Sequence, residues 1–319
     1  MEDMQRFAQF AVFVAIAAAV AAWVLAPAPE RERIAAPENA ASFATWNMEW
    51  FPSGWPEPRP EKDENARIRE AAAALRARGV PDVLLVQEIR DEKTCRAFAR
   101  ELGAGAPELA VCSDFWFNPT NRGLQQVAVF SRFPVLAAGS ESWVASDFVY
   151  PPRGFAWAIL DVHGEKVAVF GVHLKSNYVP EGKDEKKQAV LNRLKRELAA
   201  RQLVARAGAI AATNGWNVSK LLVAGDFNTA AEDPRFASES TMRTLLEAGF
   251  RDAFEGIPES ARPTLPASDR YPAATFDHIC ARGFGEPYAR RVAATARISD
   301  HAPVYATWIV PGANGQDTP

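Results

Sequence analysis

"KLLVAGDFNT", residues 220–229, begins as a buried strand and then changes character. Leu221, Leu222 and Val223 form the kind of apolar run that lies in a sheet covered on both faces. Ala224 and Gly225 thin the chain, and Asp226 and Asn228 follow around Phe227. Taken alone, Asp and Asn at a strand end form turns, because their short side chains bond the nearby backbone. A second meaning arises only if polar groups also gather at the ends of other strands.

They do. "ASFATWN" reads as a strand closing on Asn47, "DVLLVQE" as one closing on Glu88, and "KVAVFGVH" as one closing on His173. Asp277 lies in "TFDHICA", while Asp300 and His301 sit in "ISDHAP", just ahead of the last strand, "PVYATWIV". "ELAVCSD", "QVAVFSRF" and "FAWAILDV" are further strands, and "DVHGEK" has the composition of a hairpin turn. Helices are few. Residues 63–78 place Ile68, Ala71, Ala72 and Leu75 on one face, with Gly79 as a stop. A longer helix from Lys183 to Gly208 carries Val190, Leu191, Leu194, Leu198 and Leu203 as its core stripe. Many strands without a regular βαβ alternation imply two packed, mainly antiparallel sheets with helices outside, rather than a doubly wound parallel sheet.

The collected side chains have a common chemistry. Glu88, Asp226, Asp277, Asp300 and the carbonyl of Asn47 are hard oxygen donors suited to Mg²⁺ or Mn²⁺. His173 and His301 are the groups that bond phosphate oxygens or move protons near neutral pH. His278 follows Asp277 directly and so faces the other side of its strand, where packing is its expected role. His163 falls in the hairpin turn, where solvent is its expected surrounding.

The ordered set "WN", "QE", "VHLKS", "GDFNT", "FDHI" and "SDHAP" resembles the endonuclease/exonuclease/phosphatase superfamily, the deoxyribonuclease-I-like fold, over residues 42–310. The resemblance implies a four-layered α/β/β/α sandwich that hydrolyses phosphoesters with a divalent metal. It implies Glu88 as the main metal ligand, supported by Asn47 and Asp300. It gives Asp226 the attacking water, Asn228 a phosphate oxygen, His301 paired with Asp277 the acid–base role, and His173 the far side of the phosphate. In deoxyribonuclease-like members the histidine matching His173 pairs with a glutamate, and "AVCSD" offers Asp114 at that place. Lys175 and Arg122 are the expected phosphate-contacting cations, with Gln125 and Gln126 as the alternatives to Arg122 at the family's position.

The fold alone does not name the substrate. The long helix carries eight basic against three acidic residues from Lys183 to Arg206, a surplus of five. That surplus, with Trp50, Trp55, Trp116 and Phe117 in two loops, favours nucleic acid as substrate. A phospholipid or sphingomyelin phosphodiesterase, or a phosphoinositide-type phosphatase, is the alternative. A non-catalytic binding protein is more remote, since no ligand or base is missing. The whole chain of 319 residues has a net charge of −3, so any polyanion must meet a local patch. Cys95, Cys112 and Cys280 have no metal-binding spacing and read as buried thiols, although the first two could pair. Nothing in the sequence indicates a protein partner.

Phe10–Ala26 is an unbroken apolar run, read as an uncleaved membrane anchor within residues 1–27, or else a signal segment. A Pro-rich linker, 28–41, separates it from the domain at 42–310, and 311–319 form a tail. This arrangement anchors the protein in a membrane with its catalytic domain in the periplasm or outside the cell.

Overall fold

A computed structural model describes residues 37–311 apart from Pro119, Arg270 and Ala296. The apolar run Phe10–Ala26 and the end of the tail lie outside the described residues. Among the described residues, no helix is long and apolar enough to cross a membrane.

Two six-stranded sheets carry the fold. The first has the order β13 (Ala289–Val292), β14 (Val304–Ile309), β1 (Ala40–Phe51), β2 (Val83–Ile89), β6 (Gln126–Ser131), β3 (Glu108–Cys112). The second runs β11 (Arg251–Asp252), β12 (Asp277–Arg282), β10 (Lys220–Asp226), β9 (Glu165–His173), β8 (Gly154–Val162), β7 (Val135–Ser142). A short hairpin, β4 (Trp116–Asn118) and β5 (Asn121–Arg122), stands apart. Only β1 with β2 and β9 with β10 pair parallel, so both sheets are mainly antiparallel, as the patterning implied.

Strand alternation explains the layers. Phe43, Leu85, Val129, Val169, Leu222 and Ile279 project inward and pack between the sheets. Their neighbours Trp46, Val86 and Phe130 project outward, where helices α1 (Glu61–Arg78) and α2 (Glu92–Leu102) cover them. On the other sheet Phe170, Leu221 and Val223 pack against α3 (Glu185–Ala211) and α4 (Thr241–Glu247). The expected stripe of α3 is shifted. Val190 and Leu191 are exposed, and the buried side is Leu198, Ala199, Leu203, Ala207 and Ile210. No side chain of the first turns, Glu185 to Leu191, is buried, and burial on α3 begins at Asn192.

The directions of these strands bring one end of the sandwich to the site. β1, β2, β9 and β10 finish there and β12 starts there, with Asp226 registered against His173 on one side and Asp277 on the other. Gly225 makes that register possible. It sits at φ 152°, and a Cβ there would lie 1.9 Å from the carbonyl oxygen of Val172. The thinning of the chain before Asp226 is therefore a close approach of backbones.

His278 packs as its strand position implied. It is fully buried on the outer face of β12, its Nδ1 2.7 Å from Asp252 Oδ2 and its Nε2 3.2 Å from the carbonyl oxygen of Thr229. Burial alone would raise Asp252, but the His278 hydrogen bond and charge, with Arg262, hold its carboxyl at about 2. Burial likewise opposes charge on His278, and Asp252 outweighs it, raising the imidazole. The His278 contribution to stability is present below its unfolded value of about 6.5 and fades as pH rises through the folded one. The Asp252 contribution is present above its unfolded value of about 3.9 and is lost as pH falls toward 2. Asp252→Asn is therefore expected to lower unfolding free energy by roughly 2–3 kcal/mol near pH 5.5. The deficit should shrink toward both extremes in denaturant titrations across pH. A deficit that does not vary with pH would contradict the ion pair.

Candidate active site

Asp226 answers both readings of the opening stretch. Its Oδ1 accepts the backbone N–H of Asn228 at 2.8 Å, closing a local turn in which Asn228 takes φ 54°. Its Oδ2 points between the sheets and accepts the Asn47 side-chain amide at 2.9 Å. Two imidazoles converge on that same oxygen, with His173 Nε2 3.6 Å and His301 Nε2 3.9 Å away. His301 Nδ1 lies 2.7 Å from Asp277 Oδ2.

Glu88 arrives by a local irregularity. Plain alternation along β2 would aim it outward with Leu84 and Val86. Instead it adopts φ 62°, and the pairing register of β2 shifts between Gln87 and Ile89. Such a bulge re-aims a side chain, and a positive φ at Glu stores strain where function needs it. The re-aimed carboxylate accepts Asn47 Nδ2 at 3.2 Å and the Trp50 N–H at 2.9 Å, and lies 3.7 Å from His173 Nε2.

Charge is distributed unevenly over these groups. Burial, aided by Asp277 and opposed by His301, pushes Asp226 up to about 7. Burial also works against a charged His301, but Asp277, with Asp226 and Asp300, outweighs it and holds the ring well above the ordinary imidazole value. His173 has the opposite fate. Burial, then Arg153, His301 and Lys175, push it well below that value. The surroundings thus favour the charged form of one histidine and the neutral form of the other around a single carboxylate.

Asn47, Glu88, His173, Asp226, Asn228, Asp277 and His301 are therefore brought together as the sequence implied. Asp300 joins them at the exposed edge, its Oδ1 4.0 Å from His301 Nε2. Lys175 lies two residues past β9, half-buried. Burial first, then the cations Arg153, Lys195 and Arg196, lower its ammonium to about 8. The Nζ of Lys175 donates to Ser176.

Asp114 is a correction, and Arg122 is its partner. Asp114 does not orient His173; its exposed carboxylate is held by Arg122 and by Trp116 Nε1 at 3.1 Å. The reason is that β3 stops at Cys112, and Ser113 turns inward to Gln126 at 2.7 Å, leaving Asp114 outside. His173 Nδ1 and Asp277 Oδ1 are buried with no hydrogen-bond partner among the described residues.

Two charged residues at the site went unrecognised in the sequence. Arg153 enters from the β7–β8 connection with φ 67° and donates to the carbonyl oxygens of His173 and Leu174 at 3.0 and 2.8 Å and to Gln125 at 3.1 Å. Burial lowers its guanidinium to about 10 while Glu88 and Asp226 pull the other way. No periodic pattern marks it. Glu49 had a signal, standing two residues beyond Asn47 on the same strand. Burial, Asp300 and Glu88 raise its carboxyl against Arg67.

Asp226, Asp277 and His301 offer ligand atoms that all lie within 4.8 Å of one another, a group able to hold a metal ion. Glu49, Glu88 and Asp300 interact as a second set of carboxylates. A profile of the Endonuclease/Exonuclease/phosphatase family matches residues 44–301. The chain belongs to this family. An endonuclease/exonuclease/phosphatase from Beutenbergia cavernae superposes with a TM-score of 0.63 at 18% identity, over 86% of this chain and 72% of that one. One from Bacteroides vulgatus gives 0.58 at 16%, over 84% and 98%. D. rerio TDP2, complexed with a single strand DNA product, gives 0.56 at 16%, over 85% and 99%. These identities show a shared fold. No curated protein matches the chain by sequence. Members of the endonuclease/exonuclease/phosphatase family are hydrolytic phosphoesterases, and the converging polar groups of this chain suit that chemistry.

The Asp277–His301 pair gives the sharpest expectation. Asp277→Asn removes the charge that holds His301 protonated, so kcat on a phosphodiester should fall by about 10²–10⁴. A group needed in its charged form loses activity as pH rises through its pKa. The alkaline limb of the pH–rate profile should therefore move to lower pH in the variant. An unmoved limb would remove His301 from the chemistry.

Proposed function

We propose that the protein is a divalent-metal-dependent phosphodiesterase acting on nucleic acid. The observation that carries the reading is the convergence of His173 and His301 on one oxygen of Asp226, with Asp277 bonded to one ring and burial beside Arg153 disfavouring charge on the other. Groups whose surroundings push their pKa values apart divide acid from base roles. Asp226, raised toward neutrality, is suited to take a proton from an attacking water. The His301 imidazolium is suited to stabilise charge on the phosphate oxygens and to give a proton to the leaving oxygen. Neutral His173 and the Asn228 amide bond the phosphate from the other side. Arg153 adds fixed positive charge without leaving its backbone partners.

The donor chemistry fits a hard cation. His301 is protonated and bonded to Asp277, so its ring is poorly placed to ligate. Glu88 with Asn47 and Asp300, and with Glu49 beside them, is the better oxygen set for Mg²⁺ or Mn²⁺. When bound there, the ion would supply charge stabilisation to the phosphoryl oxygens. Nucleic acid is favoured by the DNA product in the TDP2 relative and by the exposed aromatics near the site. The basic surplus of α3 supports it less. Arg196 is buried in a paired contact with Glu239 at 2.6 Å, Arg206 binds Glu141 and Arg193 binds Ser238. We retain the anchored, non-cytoplasmic location as part of the proposal, on the strength of the run Phe10–Ala26.

A substrate panel of plasmid, RNA, sphingomyelin, phosphoinositides and a small phosphodiester, with Mg²⁺ and with EDTA, tests the reading. Hydrolysis of nucleic acid that EDTA abolishes is expected, and full activity in EDTA would sink the mechanism. Independently, Glu88→Gln should weaken Mn²⁺ binding tenfold or more by calorimetry. Unchanged Mn²⁺ affinity would move the ion to another set of ligands.

A further inference from the structure

Eight aromatic side chains among the described residues are exposed, and only Tyr288 stands at the far end of the sandwich. The other seven lie on the connections that leave the site end. They include Trp55 after β1, Trp116 and Phe117 on the β4–β5 hairpin, Phe148 and Tyr150 between β7 and β8, and Tyr178 after β9. Scattered apolar side chains need no explanation, but their collection around one site does.

Phe148 is the most telling. It is 91% exposed at the tip of a two-residue turn closed by reciprocal bonds between Ser146 and Val149 at 3.1 and 2.8 Å. Asp147 and Phe148 take φ 50° and 62°, the left-handed region that a bulky side chain avoids. The free protein thus holds a strained backbone in order to keep a phenyl ring in water. Neither feature benefits the fold, and both are offset if the ring is covered by a ligand.

Charge decides which ligand. Trp55 Nε1 donates to Glu57 at 2.6 Å, Trp116 Nε1 donates to Asp114, and Asp147 adjoins Phe148. Carboxylates beside the rings would have to be dehydrated in a lipid layer, which is costly. A nucleobase is uncharged, flat and polar only at its edges, so it covers a ring face while the carboxylates stay in water. The cations Arg153, Lys175 and His301 lie inside this rim, where the phosphates belong. In a duplex the base faces are already stacked on one another and are not free for a protein ring.

We propose that this rim stacks on unpaired nucleobases flanking the scissile phosphate of a single-stranded nucleic acid. The inference rests on the nucleic-acid reading of the site. It is tested by fluorescence anisotropy of the full-length protein with labelled single-stranded and duplex oligonucleotides, in EDTA to prevent cleavage. Phe148→Gly and Trp116→Ala should each weaken single-strand binding roughly five- to tenfold. Duplex affinity and turnover of a small phosphodiester should barely change. Glycine takes φ 62° without strain, so Phe148→Gly should melt at or above the wild-type temperature, which separates lost binding from lost folding. Tyr288→Ala is the control at the far end and should alter nothing. Unchanged single-strand affinity in both rim variants would overturn the proposal. So would variants that lose binding to phosphatidylcholine–phosphatidylserine vesicles while keeping their oligonucleotide affinity. Failure of the nucleic-acid reading itself would show differently, in a wild type that cleaves the small phosphodiester but no oligonucleotide.

Discussion

The side-chain amide of Asn47 ties the two sheets together at the point where the chemistry is placed. It donates to Asp226 across the sandwich and to Glu88 on the neighbouring strand, while its own carbonyl oxygen Oδ1 accepts the Glu49 N–H at 3.0 Å. Its backbone oxygen accepts Ser299 Oγ at 2.7 Å, and that hydroxyl in turn accepts the His301 N–H at 3.0 Å. One buried residue thereby fixes the positions of a strained carboxylate, a central carboxylate and a charged imidazole. Each of these groups would be costly to bury alone, and each is satisfied through the others.

The second constraint is electrostatic. Glu88, Asp226, Asp277 and Asp300 crowd one end of the sandwich, with cations such as Arg153 and Lys175 set near them. Burial raises Asp226 while its neighbours keep His301 charged and His173 neutral. The fold creates this asymmetry from position alone, since both histidines are almost fully buried. What differs is the company: Asp277 beside one ring, Arg153 and Lys175 near the other. A hard cation at the Glu88 side would relieve the remaining negative charge.

Much of this was legible in the sequence because strand ends carry the site. Apolar runs located most of the strands, the order of short polar strings indicated the family, and alternation correctly turned His278 away from Asp277. What alternation cannot show is a departure from itself. The bulge that re-aims Glu88 and the positive φ of Arg153 are backbone events with no periodic signature. β7 is an edge strand whose only β-branched residue is Val135, its first, and the Ala, Gly, Ser and Glu that follow carry little strand signal. Asp114 was assigned to His173 by position along the chain, yet an early strand end left it beside Arg122. Arg196 looked like one more solvated cation of a basic helix. In the fold it reaches across to the carbonyl of Lys175 at 2.9 Å and to Asn177 at 3.0 Å, so a surplus counted in sequence shrinks once ion pairs form.

The central claim is that one carboxylate stands between a histidine whose charged form is favoured and one whose neutral form is favoured. It is tested most directly by long-range ¹H–¹⁵N NMR of the imidazole nitrogens in the metal-free protein, assigned with His173→Gln and His301→Gln. The account predicts that His301 keeps both ring protons well above the pH at which a free imidazole loses one, at about 6.5. It predicts that His173 stays neutral well below that pH. Two rings titrating together near the ordinary value would contradict it.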